Sequence, residues 1–490
     1  MKILLVYPGF VVREVPLNIM YVSAVMGNAG HQTALFHFSP YKKQSWTKTT
    51  AERIVEGFVR KMDEYKPDMV GFSVMIQDYN ITKQLSGIAR NRYKVPVIWG
   101  GIQPILQPEE CINEPEVDFI CTGEAENVIP EFLEKFQSGK DPLTVTGIWG
   151  KSSSGKITRT GTPHLVDDLD SVPFPNRDLM EPKYYRAELT GANILTARGC
   201  PFPCTFCQNK ALMDIYKRKG KFVRYRSFDN VFAEMEYVID KYQAPSFYFS
   251  DEMFTLNQER VLEFCQEYKK RINKPFMVQT RVDHMNEELA KHLADAGCFM
   301  VNMAIENGNE NIRNVILKKK VSMEQVLAAY NIVHEHGMMS SSFNMLGVPG
   351  ETMDTIRETI EVNRELKPHR VLCTIFMPLP GTALWTHCLE NNLIDKNIKD
   401  TTNYYSEVAI KNPNIPPRTL IGYQGFFDWY VLLPKWTWGG IHVMRLIYQT
   451  IVPPKKPRTA FGRKIKELIV ETVYQMKAIL PQKKLHLKNR

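Results

Sequence analysis

The sequence predicts an α/β chain. A flavodoxin-like N-terminal domain is expected over residues 1–140 and a connecting linker over 141–190. A partial (βα)6 barrel of parallel strands follows over 191–390, then a helical, basic C-terminal region over 391–490. Three observations carry this reading. Apolar strand-like runs alternate with helical stretches twice along the 490 residues, first with five strands and then with six. Small or turn-forming residues close many of those runs, at the strand ends where parallel sheets bind ligands. The net charge of +9 is local: residues 455–490 hold eleven Lys or Arg against two Glu, so the first 454 residues balance to zero. This is a basic tail on a neutral body.

In the first half, strands are expected at Ile3–Tyr7, Thr33–Phe38, Met69–Ser73, Val95–Trp99 and Phe119–Thr122. Helices are expected near 17–28, 50–65, 80–93 and 126–137, and five strands with four crossovers is the count of an open flavodoxin-like sheet. The strand ends read Pro8-Gly9, Ser73, Gly100-Gly101 and Gly123-Glu124. Glycine there lets a bulky ligand approach the backbone, although Gly100-Gly101 serves equally as a tight turn. Over 141–190, short β-like pieces at Gly147–Gly150 and Ile157–Thr160 precede Asp167-Asp168-Leu169-Asp170-Ser171-Val172-Pro173-Phe174-Pro175, whose prolines and acids suit a linker.

From about 190 to 385 strands are expected at Ala192–Thr196, Ser246–Phe249, Phe276–Gln279, Phe299–Ala304, Ser341–Met345 and Val371–Phe376. Helices near 227–242, 257–271, 286–296, 309–316, 323–337 and 352–366 separate them. Six βα units make an incomplete parallel barrel with its site at the C-terminal strand ends. Just beyond the first of these strands stands Cys200-Pro201-Phe202-Pro203-Cys204-Thr205-Phe206-Cys207. Three thiolates in C-x3-C-x2-C spacing can hold three irons of a [4Fe–4S] cube and leave the fourth iron open to a small molecule. Zinc is the alternative, but structural zinc takes four ligands, and no second C-x2-C pair or close histidine accompanies these three. Three inert buried thiols are the plain reading. The other cysteines (Cys111, Cys121, Cys265, Cys298, Cys373, Cys388) are scattered singly, which suits reduced thiols in the cytoplasm. The start Met1–Pro8 reads as a buried strand and not a signal peptide, and no uncharged apolar run is long enough to span a membrane.

The cysteine loop, with Phe206 just before its last cysteine, resembles the signature of radical S-adenosylmethionine enzymes. The resemblance implies that Cys200, Cys204 and Cys207 ligate a [4Fe–4S] cluster and that the open iron binds S-adenosylmethionine. One-electron reduction by a partner such as flavodoxin or ferredoxin then yields a 5′-deoxyadenosyl radical that abstracts hydrogen from a small-molecule or lipid substrate. Other strand ends agree. Ser250-Asp251-Glu252 resembles the family's contact to the amino group of S-adenosylmethionine, where a carboxylate suits an ammonium; ordinary loop acids are the alternative. Arg281 can pair with a carboxylate of cofactor or substrate, or form a structural ion pair. Ala304-Ile305-Glu306-Asn307-Gly308 is similar to the family's Gly-Ile-Glu-Ser-Gly, whose glutamate contacts ribose hydroxyls, with Ala304 and Asn307 as departures. Gly347-Val348-Pro349-Gly350-Glu351-Thr352 is similar to the family's Gly-x-Pro-Gly-Glu-Thr beside the adenine pocket, though Glu351-Thr352 can simply begin a helix. Pro378-Leu379-Pro380-Gly381-Thr382 resembles Tyr-Pro-Gly-Thr-Pro-Leu. No residue is assigned a catalytic role.

The N-terminal half resembles the cobalamin-binding domain that precedes many of these enzymes, through Pro16-Leu17, Pro67–Ser73, Gly100-Gly101 and Gly123-Glu124-Ala125-Glu126. This implies cobalamin held near Ser73, Gly100, Gly101, Gly123 and Glu124. Better-known cobalamin proteins carry Asp-x-His-x-x-Gly after the first strand. Residues 8–15 here hold no histidine, which implies cobalt without a protein histidine on its lower face, or a domain that has lost cobalamin.

Beyond 400, Phe426-Phe427-Asp428-Trp429-Tyr430 and Lys435-Trp436-Thr437-Trp438 form an aromatic cluster, and residues 464–480 carry an apolar helix face flanked by lysines. Packing on the barrel and binding at a membrane surface both fit, and no nucleic-acid motif is present. The expected function is a cobalamin-dependent radical S-adenosylmethionine C-methyltransferase acting on an unactivated carbon of a lipophilic or natural-product substrate. It is expected in the cytoplasm, with or without peripheral contact at the inner face of the membrane. A cyclase or rearrangement enzyme shares every feature so far. Methylthiolation needs three more N-terminal cysteines, where Cys111 and Cys121 are only two. A corrinoid sensor or an electron carrier is the non-enzymatic alternative.

Overall fold

Parallel strands covered on both faces demand apolar side chains at successive positions, and Ile3, Leu4, Leu5 and Val6 are all buried. In the computed structural model, which describes residues 1–7, 15–37, 50–152, 154–186, 191–394 and 407–451, the chain divides into two units. Met1–Tyr184 joins Gln208–Arg226 in one, and Tyr185–Cys207 joins Ser227 onward in the other.

The first unit is a seven-stranded sheet in the order β2-β1-β3-β4-β5-β6-β7. Its strands are β1 (Lys2–Tyr7), β2 (Gln32–His37), β3 (Met69–Ser73), β4 (Val97–Gly100), β5 (Phe119–Cys121), β6 (Ile148–Lys151) and β7 (Ile157–Thr158). The first five are parallel, and the order 2-1-3-4-5 puts the topological switch between β1 and β3. Side-chain alternation sorts the core into two layers. Leu4, Val6, Val70, Phe72 and Trp99 face Phe58, Met62 and Leu85 on one side. Ile3, Leu5, Met69 and Ile98 face Ile19, Met26, Phe132 and Leu133 on the other. Helices fall at Leu17–Asn28, Thr50–Tyr65, Tyr79–Tyr93 and Ala125–Gln137, as the apolar spacing predicts, while two short helices the sequence reading lacks, Ile102–Leu106 and Pro108–Asn113, connect β4 to β5.

Two further features differ from the sequence reading. The segment read as a linker adds β6 and β7 antiparallel to the sheet edge, with Trp149 donating its indole N–H to the Thr160 carbonyl at 2.8 Å. Glycine permits this close packing, because a Cβ at Gly150 would meet Leu143 at 2.4 Å and Phe119 at 2.7 Å. Residues 208–226, just beyond the cysteine loop, also belong to the first unit, with the helix Gln208–Ile215.

The second unit holds six parallel strands in simple sequential order: β8 (Ala192–Ile194), then, past the two-residue β9 (Ala197–Arg198) and, in the first unit, β10 (Arg224–Tyr225), β11 (Phe247–Phe249), β12 (Phe276–Thr280), β13 (Cys298–Glu306), β14 (Met339–Leu346) and β15 (Arg370–Ile375). β8 and β15 lie at opposite ends of the sheet, so the barrel is open. Helix starts are written in the sequence. Ser322 and Gln325 form a capping box, as do Thr352 and Thr355, and Ser227, Asn257, Asn286 and Thr382 each accept from a first-turn N–H.

The helices Pro417–Leu432 and Trp438–Ile451 pack against each other, and the first lies on β15, where Gln424 donates to the Cys373 carbonyl at 3.1 Å. Phe426, Phe427, Trp429 and Tyr430 are buried there, so this part of the aromatic cluster is core. Trp436 (85 % exposed), Val443, Leu446 and Ile447 are not. The apolar face at 464–480 lies outside the described residues, as does the Pro8-Gly9 turn. Among the described residues no helix is long and apolar enough to cross a membrane.

Candidate functional site

The cysteine loop leaves the barrel sheet after β8 and is held on several sides. Thr205 donates its N–H to the Leu317 carbonyl at 3.2 Å and its hydroxyl to the Ile316 carbonyl at 2.6 Å, while its own carbonyl accepts from Leu384 N–H at 2.9 Å. The segment supplying those carbonyls is contorted. A π-type turn at Ile312–Ile316 runs into Lys318 and Lys320, both in the left-handed region at φ 51° and 54°. Such positions cost about 1 kcal/mol or more each for a residue with a Cβ. They present the carbonyls of 316, 317 and 319 to the loop and to Arg281 while burying Lys319 between them.

Arg281, at the end of β12, is engaged through every arm of its fork. Nε and Nη2 pair with the Asp283 carboxylate at 2.9 and 2.8 Å, Nη2 also donates to the Lys319 carbonyl at 2.6 Å, and Nη1 donates to Cys204 Sγ at 3.7 Å. Its guanidinium lies 4.0 Å from the centre of the Phe202 ring. Glu306, left-handed at φ 65°, pairs with Lys319 Nζ at 3.1 Å, and Lys319 also donates to the Ala304 carbonyl. Burial pushes the Cys204 thiol up, against the pull of Lys319 and Arg281. Burial likewise raises Cys200, which accepts from the Phe202 N–H.

Asp251 is almost wholly buried. Its carboxylate accepts from the N–H and hydroxyl of Thr196 and from Ala197 N–H at 3.3 Å, just where the chain turns from β8 into the cysteine loop. Burial pushes it up to about 7 despite those donors. It therefore positions the loop. Its neighbour Glu252 is exposed and accepts from Gly199 N–H at 3.2 Å, one residue before Cys200. The Ser250 N–H donates to the Ile194 carbonyl at 2.9 Å. Gly347, at φ 85°, donates to Glu351, which also accepts from Asn307 Nδ2 at 2.7 Å, and burial holds Glu351 up at about 8. The turns after β13 and β14 are thus tied by a buried carboxyl.

Among the described residues no three His, Cys, Asp or Glu side chains gather on one ion-sized point, and no disulfide joins the cysteines. The donor set suits a cube: three thiols on one partly buried loop, each available to a separate iron, with a guanidinium donating to one sulfur.

In the first unit, the ends of β3 and β4 meet. Asn18 Nδ2 donates to Ser73 Oγ at 3.2 Å, and a Cβ at Gly101 (φ 89°) would stand 3.0 Å from Val74 N and 3.1 Å from Ser73 Oγ. Gly100 meets only ordinary contacts there. Two residues on, Gln103 is fully buried, and neither its amide nitrogen nor its oxygen has a partner among the described residues. An unsatisfied buried carboxamide costs about 1–3 kcal/mol, so this corner beside the switch point fits a polar ligand such as a corrinoid. The end of β5 is different. Pro163 fills the space above Gly123, where a Cβ would meet it at 2.1 Å. Glu124 makes a bidentate ion pair with the nearly buried Arg224 at 2.7 and 2.8 Å and accepts from Val166 N–H at 2.7 Å. Gln103, Asn18, Lys319 and Asp283 were not singled out in the sequence. Only the isolated polar residue inside an apolar stretch marks Gln103.

Comparison with known proteins defines the class. Residues 194–362 match the radical SAM superfamily and residues 9–133 match the B12 binding domain. The chain is therefore a radical S-adenosylmethionine enzyme with a cobalamin-binding domain, whose cofactors are a [4Fe–4S] cluster, S-adenosylmethionine and cobalamin. It is 26% identical over 406 residues to an uncharacterized methyltransferase of Pyrococcus horikoshii, covering 80% of this chain and 84% of that one. An anaerobic magnesium-protoporphyrin IX monomethyl ester cyclase of Rubrivivax gelatinosus is 25% identical, over 75% of this chain and 67% of its own. In fold it is similar to the radical S-adenosylmethionine methyltransferase TsrM of Kitasatospora setae, with TM-score 0.66, 17% identity and coverage of 88% and 89%. It is also similar to the cobalamin-dependent enzyme OxsB, with TM-score 0.65, 15% identity and coverage of 97% and 75%.

Proposed function

We propose that this enzyme is a C-methyltransferase acting on an unactivated carbon of a lipophilic substrate. When bound, the cluster with S-adenosylmethionine supplies a hydrogen-abstracting radical and the corrinoid supplies a methyl group. The chain's own residues do the rest. Cys200, Cys204 and Cys207 hold the cluster; Asp251, Thr205 and Arg281 keep their loop in place. Glu252 stands exposed beside the loop as an acceptor for an ammonium, and the Gly347 turn, tied down by Glu351, shapes a wall for the nucleoside. Ser73, Gly101 and Gln103 cradle the corrinoid.

The observation that carries methyl transfer is the pairing of the three-cysteine loop with the B12-type sheet in one chain whose relatives are named methyltransferases. Besides the Pyrococcus protein these include a cytidylyl-2-hydroxyethylphosphonate methyltransferase of Streptomyces wedmorensis, 22% identical over 82% of this chain. Support for a lipophilic substrate is the exposed apolar set Trp436, Val443, Leu446 and Ile447, followed in sequence by the basic tail. A relative named hopanoid C-3 methylase in Methylococcus capsulatus, 23% identical over 84% of this chain, points the same way. The cyclase relatives favour ring formation as the second reading.

The test is anaerobic turnover of the chain reconstituted with cluster and cobalamin, with a one-electron reductant such as reduced flavodoxin, lipid extracts and S-adenosylmethionine labelled in its methyl group. Label recovered in a product carbon, with 5′-deoxyadenosine, supports methyl transfer. Deoxyadenosine with an unlabelled, cyclised product favours the second reading. Alanine at Cys200, Cys204 or Cys207 is expected to abolish both products and lower the iron content.

A further inference from the structure

We infer that Arg281 sets the reduction potential of the cluster by donating a hydrogen bond to the Cys204 thiolate. The inference rests on the assignment of Cys204 as a cluster ligand. A guanidinium free to bind a substrate carboxylate would have open donors. Arg281 has four of its five N–H groups engaged: two on Asp283, one on the Lys319 carbonyl and one on Cys204 Sγ. Its planar face is covered by Phe202, from the same loop as the cysteines. The side chain is 11% exposed, so little water competes for its N–H groups.

The direction of the effect follows from charge. Adding one electron makes cluster and thiolates more negative, and an N–H aimed at a ligand sulfur stabilises that state more than the oxidised one. Asp283 cancels much of the net charge of Arg281 but lies on the opposite arm of the fork, so the end nearest Cys204 remains the positive one. Lys319 acts in the same sense, buried and paired with Glu306. Asp283 and Phe202 are accordingly positioning residues, holding the fork against the sulfur. Lysine is no substitute, since an ammonium cannot keep this fork geometry.

The experiment is a redox titration of the full-length reconstituted protein followed by the electron paramagnetic resonance signal of the reduced cluster. Native protein, Arg281→Gln, Arg281→Lys and Asp283→Asn are compared at matched iron and sulfide content. Losing the N–H···S bond is expected to weaken reduction about tenfold in the equilibrium constant, a fall of about 59 mV for one electron. Arg281→Gln and Arg281→Lys are expected to show it, with Asp283→Asn in between. If Arg281→Gln does not retain iron, the other two variants decide. Cluster-loaded variants titrating at the native potential would overturn the inference. A native chain that takes up no cluster would instead refute the ligand assignment on which it rests.

Discussion

Replacing Glu124 separates a cofactor contact from a structural one. In sequence, Glu124 stands among the residues expected to meet cobalamin; in the fold both carboxylate oxygens are engaged by Arg224 and one also by Val166 N–H. Arg224 is 5% exposed, so Glu124→Ala leaves a buried guanidinium with the Val166 carbonyl as its one remaining acceptor among these contacts. Removing one partner of a buried pair costs about 3–5 kcal/mol, which agrees with two charge-assisted hydrogen bonds at about 1.5–3 kcal/mol each. With a urea dependence of about 2–3 kcal/mol per molar, the unfolding midpoint of the first unit is expected to fall by about 1–2 M. The assay is urea unfolding of the full chain without corrinoid, followed by far-ultraviolet circular dichroism. Glu124→Ala combined with Arg224→Met is expected to recover part of the loss, because the stranded charge is gone. A Glu124→Ala protein that unfolds at the native urea concentration yet binds corrinoid poorly would refute the reasoning and return Glu124 to the ligand.

Gln103 predicts the opposite pattern. Gln103→Leu removes a buried, unsatisfied carboxamide, so the corrinoid-free protein is expected to melt about 2–4 °C higher for each kcal/mol gained, while corrinoid affinity falls about tenfold, the loss of about 1.4 kcal/mol. A lower melting temperature without corrinoid would show that the amide is satisfied within the fold. Glu351 predicts a pH dependence. Its folded-state value, about 8, lies above the ordinary 4.5. Its contribution is therefore fully present below pH 4.5 and is lost as pH rises through about 8. Melting temperatures between about pH 5 and about pH 8 are expected to fall less steeply in Glu351→Gln than in the native chain; parallel slopes would rule this out.

The eleven parallel strands and most of their helices were legible because each rests on local physics. Apolar runs of strand length, 3.6-residue periodicity and capping pairs such as Ser322 with Gln325 need no distant partner to be recognised. The cysteine loop was legible for the same reason: its ligands lie within eight residues of chain. What escaped depended on distant pairing. The β-like pieces at 147–150 and 157–160 were read, but not that they join the first sheet as the antiparallel β6 and β7 beside β5. Residues 208–226 pack with the first unit although they follow the cysteine loop.

Roles at the strand ends divide along the same line. Sequence by itself determined which chemistry this protein carries, because three thiolates at that spacing and the turn residues of two parallel sheets limit what can bind. Only the tertiary structure decided what each charged residue does. Asp251, Arg281, Glu306 and Glu124 are all acids or bases at strand ends, alike in sequence. Once folded, Asp251 holds the backbone before the cysteines, Arg281 touches a cysteine sulfur, Glu306 neutralises Lys319 and Glu124 neutralises Arg224. The physical reason is burial. A charge taken out of water must be met by a partner, and that partner comes from wherever the fold brings one, 13 residues away for Glu306 and 100 for Glu124.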